Sequence, residues 1–270
     1  MALHLIMEKE IKKTATRRFV FIAEYRGTNY SGWQAQKHKN TICDILTEAV
    51  EKTVNHEVLL FCCGRTDLGV HALKQYVHFD TDSDIDTGCF CLGVNTVLPN
   101  DIAVRKCWEV SKKFDVRKSA IDKTYLYKLY ISPTRSPLKD LTYAQLYFPL
   151  DVKSMKKAAE ALVGEHDFTA FRATGGAAKT AVRTLYEIRI EEMPDNEIHF
   201  YVRGNGFLYN MVRIIVGTLV FVGRGKIKAE EMPQIILSKD RKRTGKTMVP
   251  QGLHLYDVTY GEGVFKEKEK

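Results

Sequence analysis

The chain lacks a zinc-ligand pattern. Its six cysteines include an adjacent pair, Cys62-Cys63, and Cys89-x-Cys91, but no C-x-x-C with a matching second pair or a His-x-x-x-His group. That argues against a structural zinc, and the same cysteines read as reduced thiols of a cytosolic protein. Uninterrupted apolar runs are also missing. The longest, Phe207 to Val222, contains Asn210, Arg213, Gly217 and Thr218, so it reads as a buried helix rather than a membrane span. The stretch Met1 to Met7 is briefly apolar and then runs into the charged Glu8 to Lys13, without the order or cleavage site of a signal peptide, so the expected location is the cytoplasm.

Phosphate loops and nucleophile triads are lacking too. Gly245-Lys246-Thr247 looks like the end of a phosphate loop, but the required upstream glycine position is Asp240. Gly223-Arg224-Gly225-Lys226 follows an apolar helix rather than opening one, which makes it a helix stop. No Ser-His-Asp pattern can be assigned. Nucleotide triphosphate hydrolysis is thereby poorly supported.

Positive charge is present in modest excess: 41 Lys plus Arg against 33 Asp plus Glu give a formal net charge of +8 over 270 residues, which favours a polyanionic partner. The charge is spread over short clusters, Lys12-Lys13, Arg17-Arg18, Lys112-Lys113, Arg117-Lys118 and Arg241-Lys242-Arg243, each of which could equally be a solvated face.

Residue periodicity predicts a strand at Arg18 to Tyr25 and an amphipathic helix from Ile42, with Thr41 as N-cap and Asp44 three residues on. Strands at Val58 to Cys63 and Gln75 to Phe79, a short helix near Gly88 to Val94 and a strand at Ile102 to Trp108 complete a βαββαβ order. The second half is expected to repeat it, with a strand at Thr124 to Ile131, a helix carrying Met155, Ala158, Ala159 and Leu162, strands at Val182 to Glu191 and Ile198 to Arg203, then helix and strand. Hairpin-like strands mixed with helices favour an α+β class, each half a mainly antiparallel sheet with helices on one side, the sheets joined around a central basic cleft. The halves are placed at residues 18–115 and 116–262, with Ser132 to Tyr143 as a loop insertion.

Asp67 stands between Gly64 and Gly69 in a segment linking two strands, where small residues let a ligand approach the backbone; an ordinary Asx turn explains the same pattern. Arg65 could hold phosphate, stack on a base or fill the space left by an extruded nucleotide, and His71 could serve nearby polar contacts. Arg213 is the only charged residue between Gly204 and Gly223, so it must snorkel to solvent or find a carboxylate. Were that carboxylate Asp67, the guanidinium would keep it ionised and oriented, as a nucleophile or base requires. Tyr125 and Tyr127 share a strand face after Lys123, a pattern that fits core packing or a base-stacking surface.

The stretch Gly64-Arg65-Thr66-Asp67-Leu68-Gly69-Val70-His71-Ala72 resembles the catalytic motif of the tRNA pseudouridine synthase A family. The likeness extends to Lys123-Thr124-Tyr125, Asn205-Gly206-Phe207, Met211-Val212-Arg213 and Pro250-Gln251-Gly252-Leu253. Tyr30-Ser31-Gly32-Trp33-Gln34, Leu92-Gly93-Val94-Asn95 and Asp167-Phe168-Thr169-Ala170-Phe171-Arg172 follow the family's order as well. The resemblance implies a catalytic nucleophile at Asp67, help from Arg65 in placing a flipped nucleotide, a Tyr125 stack on the target uracil, an Arg213 pair with Asp67, and Leu253 lining the uracil pocket. It further implies a homodimer binding tRNA across a basic cleft, uridines 38, 39 and 40 of the anticodon stem-loop as targets, and no metal or other cofactor. Lys123 departs from the family's usual arginine and loses its bidentate phosphate geometry. A noncatalytic RNA-binding or RNA-folding module would need the basic surface and the aromatic stack but not Asp67. A nucleoside glycosidase would need a second acid, for which no convincing residue is visible.

Overall fold

A computed structural model describes residues 15–36 and 40–265, so the Lys12-Lys13 cluster lies outside the described residues. The chain divides into two compact units, one running to Ile121 and resuming at Asp257, the other Asp122–Tyr256. Both are α+β, built on antiparallel ladders, and among the described residues no helix is long and apolar enough to cross a membrane.

The first unit follows the order β1 (Arg17–Tyr25), α1 (Ile42–Val54), β2 (Phe61–Cys62), β3 (His71–Thr81), α2 (Thr87–Val97) and β4 (Ile102–Val110). Strand β1 pairs antiparallel with β3 through Phe19↔Phe79 and with β4 through Val20↔Trp108. Phe19 and Phe21 lie on one face, where Phe79 and Phe90 of α2 meet them at centroid distances of 5.4–6.1 Å. The opposite face carries Tyr76 and Trp108, covered by Phe265, with Tyr260 and Phe114 packed edge-on or tilted beside them. With both faces covered, β1 is apolar along most of its length rather than alternating. Each buried Phe contributes on the order of 2 kcal/mol. Thr41 caps α1, its hydroxyl accepting the Asp44 N–H at 3.2 Å.

Several boundaries differ from the sequence reading. The strand expected from Val58 pairs only at Phe61–Cys62, because the Val58 N–H is taken by the Glu51 carboxylate at 3.0 Å instead of a ladder. Strand β3 starts four residues earlier than expected, at His71. Asp86 caps α2 through the N–H groups of Gly88 and Cys89, moving its start to Thr87.

In the second unit β5 (Asp122–Ile131), β9 (Glu197–Gly204), β8 (Val182–Met193) and β7 (Gly164–Asp167) pair antiparallel in that spatial order, and the short β6 (Ala144–Leu146) runs parallel to β5. Helix α3 (Val152–Glu160) packs on α4 (Met211–Gly223), where a Cβ on Gly223 would lie 2.6 Å from the Met155 sulfur. Helix α5 (Met232–Ser238) follows, and β10 (Leu253–Thr259) carries the chain back into the first unit. Strands β6 and β7 and helix α5 went unread in the sequence: β6 and β7 span three and four residues, and α5 seven, too short to show a period.

Candidate active site

In the first unit the Gly64–Val70 loop is held from behind by the segment that follows β1. The Trp33 N–H donates to the Thr66 carbonyl at 3.0 Å, and the Val70 N–H closes a turn on the Asp67 carbonyl at 3.1 Å. The Thr66 hydroxyl meets the Tyr25 hydroxyl at 2.8 Å. Gln75 donates to the Gly64 carbonyl at 2.7 Å and to the Tyr25 hydroxyl at 3.2 Å, and its own amide oxygen accepts from the Cys63 thiol. Thr66, Tyr25 and Gln75 are buried, so this network works away from water, where satisfied hydrogen bonds fix geometry most firmly.

Two glycines make the close approach possible. A Cβ on Gly27 would lie 2.0 Å from the Val70 carbonyl oxygen. One on Gly32, whose φ is +84°, would lie 2.7 Å from the Thr66 carbonyl oxygen and 3.0 Å from the Asp67 carbonyl carbon. The Gly27 N–H donates to Nδ1 of the buried His71, which requires that nitrogen to be unprotonated. His71 is therefore a latch between the Gly27 turn and the loop. The turn is anchored in its own right, since Asp101 accepts from the Tyr30 hydroxyl at 2.5 Å and from the Asn29 amide at 2.9 Å. On this braced loop Asp67 is half-buried and its neighbours Arg65 and Leu68 are exposed.

The second unit supplies the other residues singled out from sequence. Tyr125 on β5 is buried, its ring edge-on to Phe207 at 5.0 Å. Tyr127, two residues on, is fully buried and donates its hydroxyl to the Val249 carbonyl at 2.8 Å. Burial raises the Tyr127 pKa well above the ordinary phenol value, opposed by the Arg213 charge, so Tyr127 stays a neutral donor. The tyrosine stripe thus divides into a structural Tyr127 and a Tyr125 that contacts the loop entering α4.

Arg213 occupies the first turn of α4, half-buried. Its Nε donates to the Met248 carbonyl and its Nη1 to the Asn210 amide oxygen, each at 2.6 Å, while the Met248 N–H donates to the Arg213 carbonyl at 3.2 Å. A backbone carbonyl and a side-chain amide are therefore among its partners. Asn210 itself adopts the left-handed conformation, φ 59°, which is why α4 begins at Met211 and not at Phe207. The segment leading to Leu253 lies along α4 backbone against backbone: a Cβ on Gly217 would sit 1.8 Å from the Lys246 carbonyl oxygen, and one on Gly245 would sit 2.2 Å from the Gly217 carbonyl oxygen. The Gly245 N–H donates to the Thr218 hydroxyl at 3.0 Å. Gly245-Lys246-Thr247 is accordingly a packing motif. Past it, Gly252 presses on the Tyr127 ring and the buried Leu253 opens β10.

Within the second unit, then, Arg213, Tyr127 and the Gly245–Leu253 segment are knitted together, while Arg65 and Asp67 belong to the first unit. Sequence reasoning missed Tyr25, Thr66, Gln75, Asn210 and Met248, none of which carries a charge or a motif glycine. Tyr30-Ser31-Gly32-Trp33 was singled out by resemblance alone, and its task is to support the Asp67 loop. Of the basic clusters, Arg17-Arg18 is consumed internally: Arg18 is buried in a two-pronged ion pair with Asp80 at 2.6 and 2.8 Å, and Arg17 pairs with Glu109. Arg241 is likewise folded onto Thr244, Gly245 and Thr247.

The family model described as tRNA pseudouridine synthase matches residues 21–117 and 158–261. The chain is 44% identical over 244 residues to the tRNA pseudouridine synthase A of Ruminiclostridium cellulolyticum, covering 90% of this chain and 100% of that one. It is 40% identical over 246 residues to that of Paraburkholderia phytofirmans, covering 91% of each. Among solved structures it is similar, at 14% identity and a TM-score of 0.41, to a chain of a Cbf5-Nop10-Gar1 complex, covering 92% of this chain and 50% of that one, a likeness too slight to build on. The family match and the curated relatives agree: the chain belongs to the tRNA pseudouridine synthase family and is an isomerase.

Proposed function

We propose that the protein converts uridine to pseudouridine in the anticodon stem-loop of tRNA, at positions 38, 39 and 40, with Asp67 as the reacting carboxylate. The observation that carries this reading is the bracing of the Asp67 loop: four hydrogen-bonded residues and two close-approach glycines hold a half-buried carboxylate beside exposed Arg65. Such rigidity costs folding free energy that a mere surface turn would not require, and it is what preorganised catalysis needs.

The reaction breaks the N1–C1′ bond, rotates the uracil, forms C5–C1′, and moves the hydrogen of C5 to N1 in net balance, so it consumes no oxidant or reductant. Asp67 starts it either by attacking the ribose or by removing a sugar proton. Arg213 pairs with it and keeps it ionised, Tyr125 stacks on the flipped uracil, Leu253 lines its pocket, and Arg65 places the extruded nucleotide. Ribose deuterated at C2′ separates the two openings, because abstraction there slows a single turnover and attack does not. The protein acts as a homodimer, to be read as twice the chain mass by light scattering.

The test is to incubate anticodon stem-loops with the protein and map pseudouridine by mass spectrometry. Conversion confined to uridines 38–40 with no free uracil is the expected result. Free uracil would indicate a glycosidase, and binding without product an RNA-folding module.

A further inference from the structure

The tRNA reading assigns a carboxylate and a stack but leaves open what holds the RNA strand beside the target. Two stretches of the second unit carry no Asp or Glu at all: Phe168 to Tyr186, with Arg172, Lys179 and Arg183, and Ile198 to Ala229. They meet at the loop joining β9 to α4. The Ala173 N–H donates to the Tyr209 carbonyl at 3.1 Å, and a Cβ on Gly176 would sit 3.0 Å from the Tyr209 Cβ. Thr184 and Asn205 exchange bonds, the Asn205 side chain accepting the Thr184 N–H at 3.0 Å and the Asn205 N–H donating to the Thr184 carbonyl at 3.0 Å. The Arg183 side chain runs over Gly206, whose added Cβ would lie 3.6 Å from its Nε. Phe207 of this loop is the ring that touches Tyr125.

Arg172 and Arg183 are half-buried, and neither finds a carboxylate among the described residues. The Arg172 guanidinium makes no side-chain hydrogen bond there, and Arg183 donates through Nη1 to backbone carbonyls such as Thr180 at 3.0 Å. The acids nearest in sequence are engaged elsewhere: Asp167, five residues before Arg172, by Lys239 at 2.7 Å and by Thr169, and Glu187, four residues after Arg183, by Arg189 at 3.6 Å and Arg203 at 3.9 Å. Burial lowers the Arg183 pKa, as expected of a guanidinium partly stripped of water without a counter-charge. Tyr209 is 43% exposed at the same loop. Guanidinium groups that meet no carboxylate among the described residues, next to an exposed aromatic, suit a phosphodiester and an unstacked base.

We propose that Arg172 and Arg183 hold backbone phosphates of the RNA strand adjacent to the target uridine, and that Tyr209 stacks on an unpaired base of that strand. This rests on tRNA being the substrate.

The test uses unmodified tRNA, measuring Kd against salt for the full-length wild type, Arg172→Gln, Arg183→Gln, Arg183→Lys and Tyr209→Ala. Each glutamine variant is expected to shallow the dependence of log K on log salt by roughly 0.7–0.9 per lost phosphate contact, with Kd and KM rising more than kcat falls. Arg183→Lys keeps the slope, and Tyr209→Ala weakens binding roughly tenfold with the slope unchanged. Arg172→Gln removes no side-chain hydrogen bond among the described residues, and a melt of each variant beside the wild type reads its fold directly. Wild-type slopes in both glutamine variants, whether or not their binding weakens, overturn the phosphate assignment, and wild-type affinity in Tyr209→Ala overturns the stack. A wild type that forms no pseudouridine overturns the substrate reading instead, which separates the two failures.

Discussion

Arg213 shows how one residue answers to two demands. Its guanidinium holds the Met248 carbonyl and the Asn210 amide, and the proposed chemistry asks it to orient Asp67 as well. Arg213→Met is therefore expected to lower turnover more than tRNA affinity and also to cost stability, about 1–3 kcal/mol for the partners left unsatisfied. Single-turnover kinetics, filter binding and a melt on the same preparation check it. Equal loss of turnover and affinity at an unchanged melting temperature would identify Arg213 as an RNA contact. Gly32→Ala tests the brace behind Asp67 from a distance. At φ +84° with 2.7 Å to the Thr66 carbonyl oxygen, an added methyl must displace the loop, so kcat is expected to fall at least tenfold for a stability loss of about 1–3 kcal/mol. Wild-type kcat in that variant would show that the loop's position is not under tension.

At the scale of elements, the long amphipathic or apolar segments were legible because their period spans several turns: α1 with its Thr41 cap, α3 through Met155, Ala158 and Ala159, and β1, β4, β5, β8 and β9 to within a few residues. What the sequence could not reveal was contact between distant backbones. Gly217 looked like an interruption in an apolar run, and Gly245 like a failed phosphate loop. Their purpose appears only when the two backbones touch. Gly217→Ala, with its Cβ 1.8 Å from the Lys246 carbonyl oxygen, is expected to destabilise the protein by roughly 3 kcal/mol, read as a lowered urea midpoint. An unshifted midpoint would show that the segment before Leu253 yields freely. The same limit applies to the proposed site: Asp67, Arg65, Tyr125, Arg213 and Leu253 were named by motif, whereas Tyr25, Thr66 and Gln75 are ordinary residues that matter through position.

Where β7 ends, the Lys239 ammonium and the Thr169 hydroxyl hold the Asp167 carboxyl down at about 2. A depressed carboxyl stabilises the fold fully above about pH 4, its unfolded value, and the contribution is lost as pH falls through the folded value near 2. Because Lys239 is 58% exposed, solvent screening limits the effect to about 1 kcal/mol or less. Asp167→Asn is expected to melt at most about 2–4 °C below wild type at pH 7, with the gap closing near pH 2. A gap that widens in acid would contradict the ion pair.

For the whole molecule, a net charge of +8 brings a polyanion close but does not choose among RNAs, and part of that charge is spent inside, as Arg18 with Asp80 shows. Family membership supplies the reaction class, and the braced loop supplies a physical reason for placing the chemistry at Asp67. The measurement that bears on this most directly is a single-turnover assay of Asp67→Asn with tRNA, run alongside a binding curve. The expected result is tRNA affinity within about threefold of wild type, since one amide replaces a carboxylate of the same shape, and no detectable pseudouridine. Pseudouridine formed at the wild-type rate would contradict it.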